Sequence, residues 1–122
     1  MRKEIADLWT AALRSGKYKQ TRGFLKTEEG FCCLGVLCEL AVESNIIKGP
    51  TYQDMEGERK YYYAKSRYDL PTEVREWADI NTDEEIGPKN LMLVVMNDGP
   101  NYDDGMSFDE IANIIDTEWR KL

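Results

Sequence analysis

Residues 31–43 read FCCLGVLCELAVE, and this segment predicts the centre of the fold. Its apolar residues recur at helical spacing at positions 34, 37, 38 and 41, and positions 36 and 40 add apolar side chains on the other faces. A helix that is apolar almost all round is buried, so residues 34–43 predict the central helix of the domain. Gly35 has no Cβ and would let another backbone segment approach this helix closely.

Two amphipathic helices are predicted nearer the ends of the chain. Residues 3–14 carry one apolar stripe, and Ser15-Gly16 ends that helix. The last helix begins at a capping box, in which Ser107 is the N-cap and Glu110 follows three residues later. Each of these two helices carries one apolar stripe.

Extended segments are predicted between these helices. Residues 24–33 fit a hairpin, and residues 46–68 carry turn signals together with three consecutive strand-favouring tyrosines at 61–63. At least one of these rings should face outward, where it could serve a dimer interface. Leu70-Pro71 opens a further helix, whereas residues 89–96 form an apolar run that periodicity cannot assign to helix or strand.

The order of these elements predicts a single α+β domain over residues 1–122, in which a small antiparallel sheet packs with about four to five helices. A chain of 122 residues with 42% hydrophobic residues suffices for one core. No apolar run reaches the ~18–20 residues that would cross a bilayer, and the N-terminus lacks the apolar stretch of a secretion signal. We therefore expect a cytoplasmic protein without a membrane partner.

Three clustered cysteines and the absence of histidine restrict the chemistry. Cys32, Cys33 and Cys38 are odd in number, and two of them lie on the apolar helix, so we expect reduced thiols that pack in the core. Without histidine the chain has no Ser-His-Asp triad, Cys-His dyad or histidine-containing zinc site. The paired carboxylates lie in loops without apolar neighbours that would raise a pKa. We therefore expect a binding protein with no catalytic residue, metal or cofactor.

The formal net charge of −7 argues against DNA or RNA as a partner, because such binding needs neutralisation of phosphates by Lys and Arg. The charge is unevenly spread along the chain. Residues 14–26 carry five positive charges and no acid, whereas residues 79–110 are strongly acidic. A local basic patch on an acidic protein suits a small anionic ligand.

The basic segment at residues 17–23 is the best candidate for binding such a ligand. Its lysines and arginine would neutralise phosphates and its tyrosine would stack on a base, although a solvated loop that balances the acidic remainder fits the pattern equally well. Trp77 is a second stacking candidate at the end of a short helix, and Arg75 is a further phosphate contact. Asn97-Asp98 either ends the apolar run as a turn or bonds a ribose or a base edge. The candidate ligand-binding residues are therefore Lys17, Tyr18, Lys19, Arg22, Arg75, Trp77, Asn97 and Asp98.

Three stretches together resemble a family of small proteins encoded by tailed phages and prophages. They read ALRSGKYKQ at residues 12–20, FCCLGVLCELA at 31–41, and MND at 96–98 followed by SFDEIA at 107–112. Size and layout also resemble the phage anti-defence sponges that counter the Thoeris system. This resemblance implies sequestration of a cyclic ADP-ribose isomer without degradation, by a dimer or larger homo-oligomer, in the cytoplasm of an infected bacterium. It assigns no ligand contact to individual residues.

Two other functions stay open at this point. A protein-binding inhibitor of a host defence enzyme would use the acidic surface as a decoy for nucleic acid or a nucleotide. A histidine-free nucleotide-processing enzyme would use Asp98 or Tyr18. Formation of a product would favour the enzyme, and an acidic surface without a pocket would favour the inhibitor.

Overall fold

The computed structural model describes residues 1–80, 93–99 and 105–122, which form one α+β unit. Its α-helices are Lys3–Arg14 (α1), Cys33–Glu43 (α2), Thr72–Ala78 (α3), Leu93–Asp98 (α4) and Phe108–Glu118 (α5), and a 3-10 turn follows at Trp119–Lys121. Its strands are Lys26–Thr27 (β1), Gly30–Phe31 (β2), Thr51–Met55 (β3) and Glu58–Tyr62 (β4). The predicted fold class is confirmed, with the sheet divided into two antiparallel hairpins, β1–β2 and β3–β4.

Helix α2 forms the centre of the core, as its sequence predicts. Seven of its eleven residues are buried, and α1, α3 and α4 all pack against it. Leu25, which is also buried, crosses directly over Gly35: a Cβ on that glycine would lie 1.7 Å from the Leu25 carbonyl oxygen. The close approach predicted for Gly35 is therefore confirmed, and it brings the chain just before β1 onto the central helix.

The terminal helices α1 and α5 pack against each other and close the core on one side. Trp9 of α1 is completely buried, and its indole N–H donates to the carbonyl of Cys33 at 2.9 Å. At the surface of the same interface, the Arg14 guanidinium donates to Asn113 at 2.7 Å and to Asp116 at 2.6 Å. The helix predicted at residues 3–14 is confirmed with the same bounds.

The predicted N-cap of α5 is confirmed, because the backbone N–H of Glu110 donates to the Ser107 hydroxyl at 3.2 Å. The Glu110 carboxylate in turn accepts from that hydroxyl at 3.1 Å. Of the apolar run whose type was ambiguous, residues 93–96 are helical. The rest of that run at 89–92, the acidic loop at 81–88, and the carboxylates at 83–85 and 103–104 lie outside the described residues.

The second hairpin, β3–β4, stands at the surface. Every residue of β3 is exposed, and the turn at Glu56-Gly57 has positive φ at both positions, 55° and 78°. Of the three consecutive tyrosines, Tyr63 is completely buried, while those at 61 and 62 are half-buried. Among the described helices, none combines the length and the apolar character that crossing a bilayer requires.

Candidate functional site

An open groove of about 600 Å³ lies where the basic segment, the β1–β2 turn and the start of β4 meet. Pockets for small organic ligands typically measure roughly 300–1,000 Å³, so the groove has the size of a nucleotide site. The described residues that line it are Lys19, Gln20, Thr21, Arg22, Thr27, Glu28, Glu29, Glu58 and Arg59.

Backbone pairing holds the basic segment along one wall of the groove. The N–H of Phe31 donates to the Lys19 carbonyl at 2.9 Å, and the N–H of Thr21 donates to the Phe31 carbonyl at 2.8 Å. Gly30 makes this pairing possible, because a Cβ there would lie 2.1 Å from the Lys19 carbonyl oxygen. The segment therefore runs beside β2 as a short extended stretch and does not form a free loop.

Asn97 joins this wall to the helices behind it. Its side chain is completely buried and uses its full hydrogen-bonding capacity inside the protein. The amide oxygen accepts from Gln20 Nε2 at 2.9 Å and from the N–H of Cys33 at 3.0 Å. The amide nitrogen donates to the Thr21 carbonyl at 2.8 Å and to Asp98 Oδ1 at 2.9 Å. No polar atom of this amide is left for a ligand.

Gln20 extends the same network to α5. Its amide nitrogen also donates to the Met106 carbonyl at 2.8 Å, and its amide oxygen accepts from the N–H of Phe108 at 3.1 Å. The carboxylate of Asp98 accepts from the N–H of Gly23 at 3.1 Å. These bonds lock residues 20–23 against the start of α5 and the end of α4, so this wall of the groove is rigidly placed.

Arg22 is the cation that this network aims at the groove. Its Nε donates to the backbone carbonyl of Asn97 at 3.1 Å, and its side chain is exposed and lines the groove. Gly105 leaves room for that contact, because a Cβ there would lie 2.2 Å from the Asn97 carbonyl oxygen and 2.8 Å from Arg22 Nε. Within the described ranges the two terminal guanidinium nitrogens have no hydrogen-bond partner, and as a pair they could bind an anion.

The charges that line the groove are mixed. Lys19, Arg22 and Arg59 are cationic, and they face three carboxylates, at Glu28, Glu29 and Glu58. Such a lining suits a ligand that carries both anionic groups and hydrogen-bond donors, since carboxylates accept from hydroxyl and amino groups. A bare polyanion would be repelled by the acidic half.

Tyr18 and Lys17 lie outside the groove, at the end of α2. The Tyr18 hydroxyl and the Lys17 ammonium sit 3.4 and 3.5 Å from Glu43 Oε1, and the Tyr18 ring packs edge-on against Phe31 at 5.4 Å. Burial raises the pKa of Tyr18, so its hydroxyl stays protonated at neutral pH. Neither side chain is among the described residues that line the groove.

Arg75 and Trp77 lie on α3, which contributes none of the described residues that line the groove. The Trp77 side chain is half-buried against the core, and its carbonyl accepts from Arg2 at 2.9 Å. Of the eight candidate residues, the structure thus brings together Lys19, Arg22, Asn97 and Asp98. It places the others elsewhere.

Gln20 and Arg59 belong to the candidate site, although neither is among the residues predicted from the sequence to bind a ligand. Gln20 lies within the basic segment, but its role depends on partners 77 to 88 positions away in the chain. Arg59 reaches the groove because the β3–β4 hairpin folds back beside β1. No local pattern in the sequence marks either residue.

The cysteines belong to the core, as predicted. All three are free and buried, and the Cys32 thiol caps α2 by accepting from the N–H of Gly35 at 3.4 Å. Burial raises the pKa of Cys32 to about 11 and raises the pKa of Cys33 and of Cys38 as well, which leaves protonated, unreactive thiols. Over the described ranges, no cluster of residues could hold a metal ion.

Comparison with known proteins places the chain in a family. No curated protein and no solved structure matches it. The model of one protein family, however, matches residues 1–119, which is nearly the whole chain and includes every residue of the groove. The chain belongs to this family, which is described as a domain of unknown function, DUF8296.

Proposed function

We propose that this protein is a phage anti-defence protein that sequesters a cyclic nucleotide immune signal, a cyclic ADP-ribose isomer, in the cytoplasm of an infected bacterium. The observation that carries the proposal is Arg22, held through its Nε on the edge of a groove of nucleotide size. Two resemblances support the choice of ligand. The motifs resemble those of a family of phage and prophage proteins, at residues 12–20, 31–41, 96–98 and 107–112. The size and layout of the chain resemble those of the anti-defence sponges.

The mixed lining suits the chemistry of such a ligand. Its pyrophosphate would lie against Arg22 and Lys19, with Arg59 as a third cation. Its ribose hydroxyls and the amino group of its base would donate to Glu28, Glu29 or Glu58. Asn97 would act by positioning the wall that carries Arg22, because its own amide is fully bonded inside the protein.

Binding without turnover is the form of this proposal that the side chains favour. Tyr18 has a raised pKa and points its hydroxyl at Glu43, which makes it a poor general base. Asp98 is engaged with Gly23 and Asn97, where its carboxylate builds the wall of the groove. We also propose a homo-oligomer, because a second copy would enclose an open groove and reduce the mobility of a bound ligand.

The test is to mix the protein with a cyclic ADP-ribose isomer, measure the free ligand by ultrafiltration, and then denature the protein by heat. We expect the ligand to vanish from the filtrate and to return intact, with a dissociation constant in the nanomolar range, about −12 kcal/mol. Excess ligand should also raise the melting temperature. A cleaved product would show an enzyme instead. Failure to deplete any nucleotide from a defence-activated extract would favour an inhibitor that binds a host protein.

Variants of Lys19 and Arg22, the two basic residues of the segment at 17–23 that line the groove, test where the ligand binds. Lys19→Ala and Arg22→Ala should each weaken binding by roughly 1.5–3 kcal/mol, the scale of a hydrogen bond to a charged group. Lys48→Ala and Arg120→Ala are the matched controls, since both side chains are exposed and neither lines the groove. Calorimetry that finds the same affinity in Arg22→Ala and Arg120→Ala would place the site elsewhere.

A further inference from the structure

A compact group of two rings and one cation lies beside the groove and has no role in the binding mode described so far. The rings of Phe24 and Tyr68 are tilted by 48° with their centres 5.2 Å apart. The Arg67 guanidinium carbon lies 3.8 Å from the centre of the Phe24 ring and 5.8 Å from that of Tyr68. We call these three residues the aromatic cluster.

The aromatic cluster is joined to the groove on two sides. Phe24 follows Gly23 and Arg22 in the chain, and Arg22 lines the groove, although none of the three cluster residues is itself among the described residues that line it. On the other side, a guanidinium nitrogen of Arg67 lies 3.9 Å from Oε1 of Glu58, which lines the groove. The contact between Arg67 and Glu58 therefore connects the cluster to the edge of the groove.

Tyr68 exposes 57% of its surface, more than any other large hydrophobic residue in the described part of the chain. Its ring gains little from burial, yet it is held in place by Phe24 and Arg67. A ring that is fixed on one side and open on the other can stack on a ligand without losing much conformational entropy.

Arg67 is the residue that fixes this arrangement. Its side chain is only 12% exposed, and its buried Nε has no hydrogen-bond partner within the described chain. Leaving such a donor unsatisfied is unfavourable, and the contact with the face of Phe24 offsets part of that penalty. The backbone also anchors it, since the Arg67 carbonyl accepts from the N–H of Leu25 at 2.9 Å.

We propose that Tyr68 is the platform on which the purine base of the bound nucleotide stacks, with Phe24 beside it and Arg67 as a positioning residue. This inference rests on the proposed function and names the part of the site that reads the base. It assigns to Tyr68 the stacking role that the sequence had suggested for Tyr18 and Trp77. The ring of Tyr18 packs against Phe31 and that of Trp77 against the core, whereas Tyr68 is 57% exposed.

Calorimetry with two probes tests the proposal: a cyclic ADP-ribose isomer, which has a base, and inorganic pyrophosphate, which has none. Stacking of one base is typically worth about 1–3 kcal/mol, so Tyr68→Ala should bind the nucleotide roughly 5- to 150-fold more weakly. Its affinity for pyrophosphate should not change. Tyr68→Phe keeps the ring and should bind like the wild type. Leu8→Ala is the control, because Leu8 is 49% exposed and lies on α1, away from the groove.

The outcomes separate this inference from the proposed function. Nucleotide binding that is equal in the wild type and Tyr68→Ala would overturn the role of Tyr68 and leave the groove as the site. A wild type that binds no nucleotide would overturn both proposals. A melting temperature that falls far more in Tyr68→Ala than in Leu8→Ala would assign Tyr68 to the fold and overturn the inference. Where pyrophosphate alone binds too weakly to measure, the contrast between Tyr68→Phe and Tyr68→Ala decides.

Discussion

Replacing Asn97 by Asp should destabilise the protein far more than its small change in shape suggests. The substitution keeps an oxygen for Gln20 and Cys33, but it turns the donor that faces Thr21 and Asp98 into a second oxygen. Two buried hydrogen bonds are lost, at about 0.5–1.5 kcal/mol each, and a carbonyl and a carboxylate are left facing a new carboxylate. We expect a loss of about 3 kcal/mol of unfolding free energy, or roughly 12 °C in melting temperature for a domain of this size.

The effect should depend on pH in a defined direction. Burial and the neighbouring Asp98 raise the pKa of the introduced carboxyl above the value of about 3.9 that it has in the unfolded chain. The loss of unfolding free energy relative to the wild type is therefore complete above that raised pKa. The loss becomes smaller as the pH falls below the raised pKa, because the protonated acid can again donate a hydrogen bond. Urea unfolding of both proteins at several pH values measures the difference.

Asn113→Asp is the matched control, since it adds the same charge on the exposed face of α5, where the side chain already accepts from Arg14. An exposed substitution of this kind typically changes stability by less than about 0.5 kcal/mol, or about 2 °C. If the melting temperatures of Asn97→Asp and Asn113→Asp differ by less than about 2 °C, the four hydrogen bonds of Asn97 do not hold the wall of the groove, and the prediction is wrong.

Three further predictions concern the frame around the site. Gly35→Ala should lose about 3 kcal/mol or prevent folding, because its Cβ meets a backbone carbonyl, whereas Gly49→Ala has nothing within 4 Å and should melt like the wild type. Ser107→Ala removes the N-cap of α5 and should lower the unfolding free energy, measured with urea, by about 1 kcal/mol. Equal urea midpoints for the variant and the wild type would contradict this. The unfolding free energy should fall as the pH rises above about 9. In the unfolded chain the thiols ionise near that pH, whereas burial raises their pKa in the folded protein, to about 11 for Cys32. Ionisation therefore favours the unfolded state. Replacing all three cysteines by Ala should flatten that fall while ligand binding persists at low temperature, and an unchanged slope would assign it to other groups.

The parts of the fold that depend on neighbours along the chain could be predicted from the order of the residues. The bounds of α1, the capping box of α5 and the buried character of α2 follow from side-chain spacing and from residues at the helix ends. The role of Gly35 was also visible, because a glycine at the start of an apolar helix suggests that another backbone packs there. The sequence could not assign the apolar run at 89–96 to helix or strand, since a short apolar run fits both; its described part, residues 93–96, is helical.

The contacts between polar residues, in contrast, could not be predicted from the order of the residues and become visible in the folded chain. Tyr18 and Trp77 look like stacking residues in the sequence, but Phe31 and the core take up their rings. Asn97 looks like a ligand contact or a turn residue, but burial forces it to satisfy its amide with Gln20, Cys33 and Thr21, which are 64 to 77 positions away. Burial and hydrogen-bond pairing are conditions on distant residues, and spacing along the chain carries no signal for them. The same holds for Tyr68, whose open ring meets the ring of Phe24 only because its chain segment packs against residues 24 and 25.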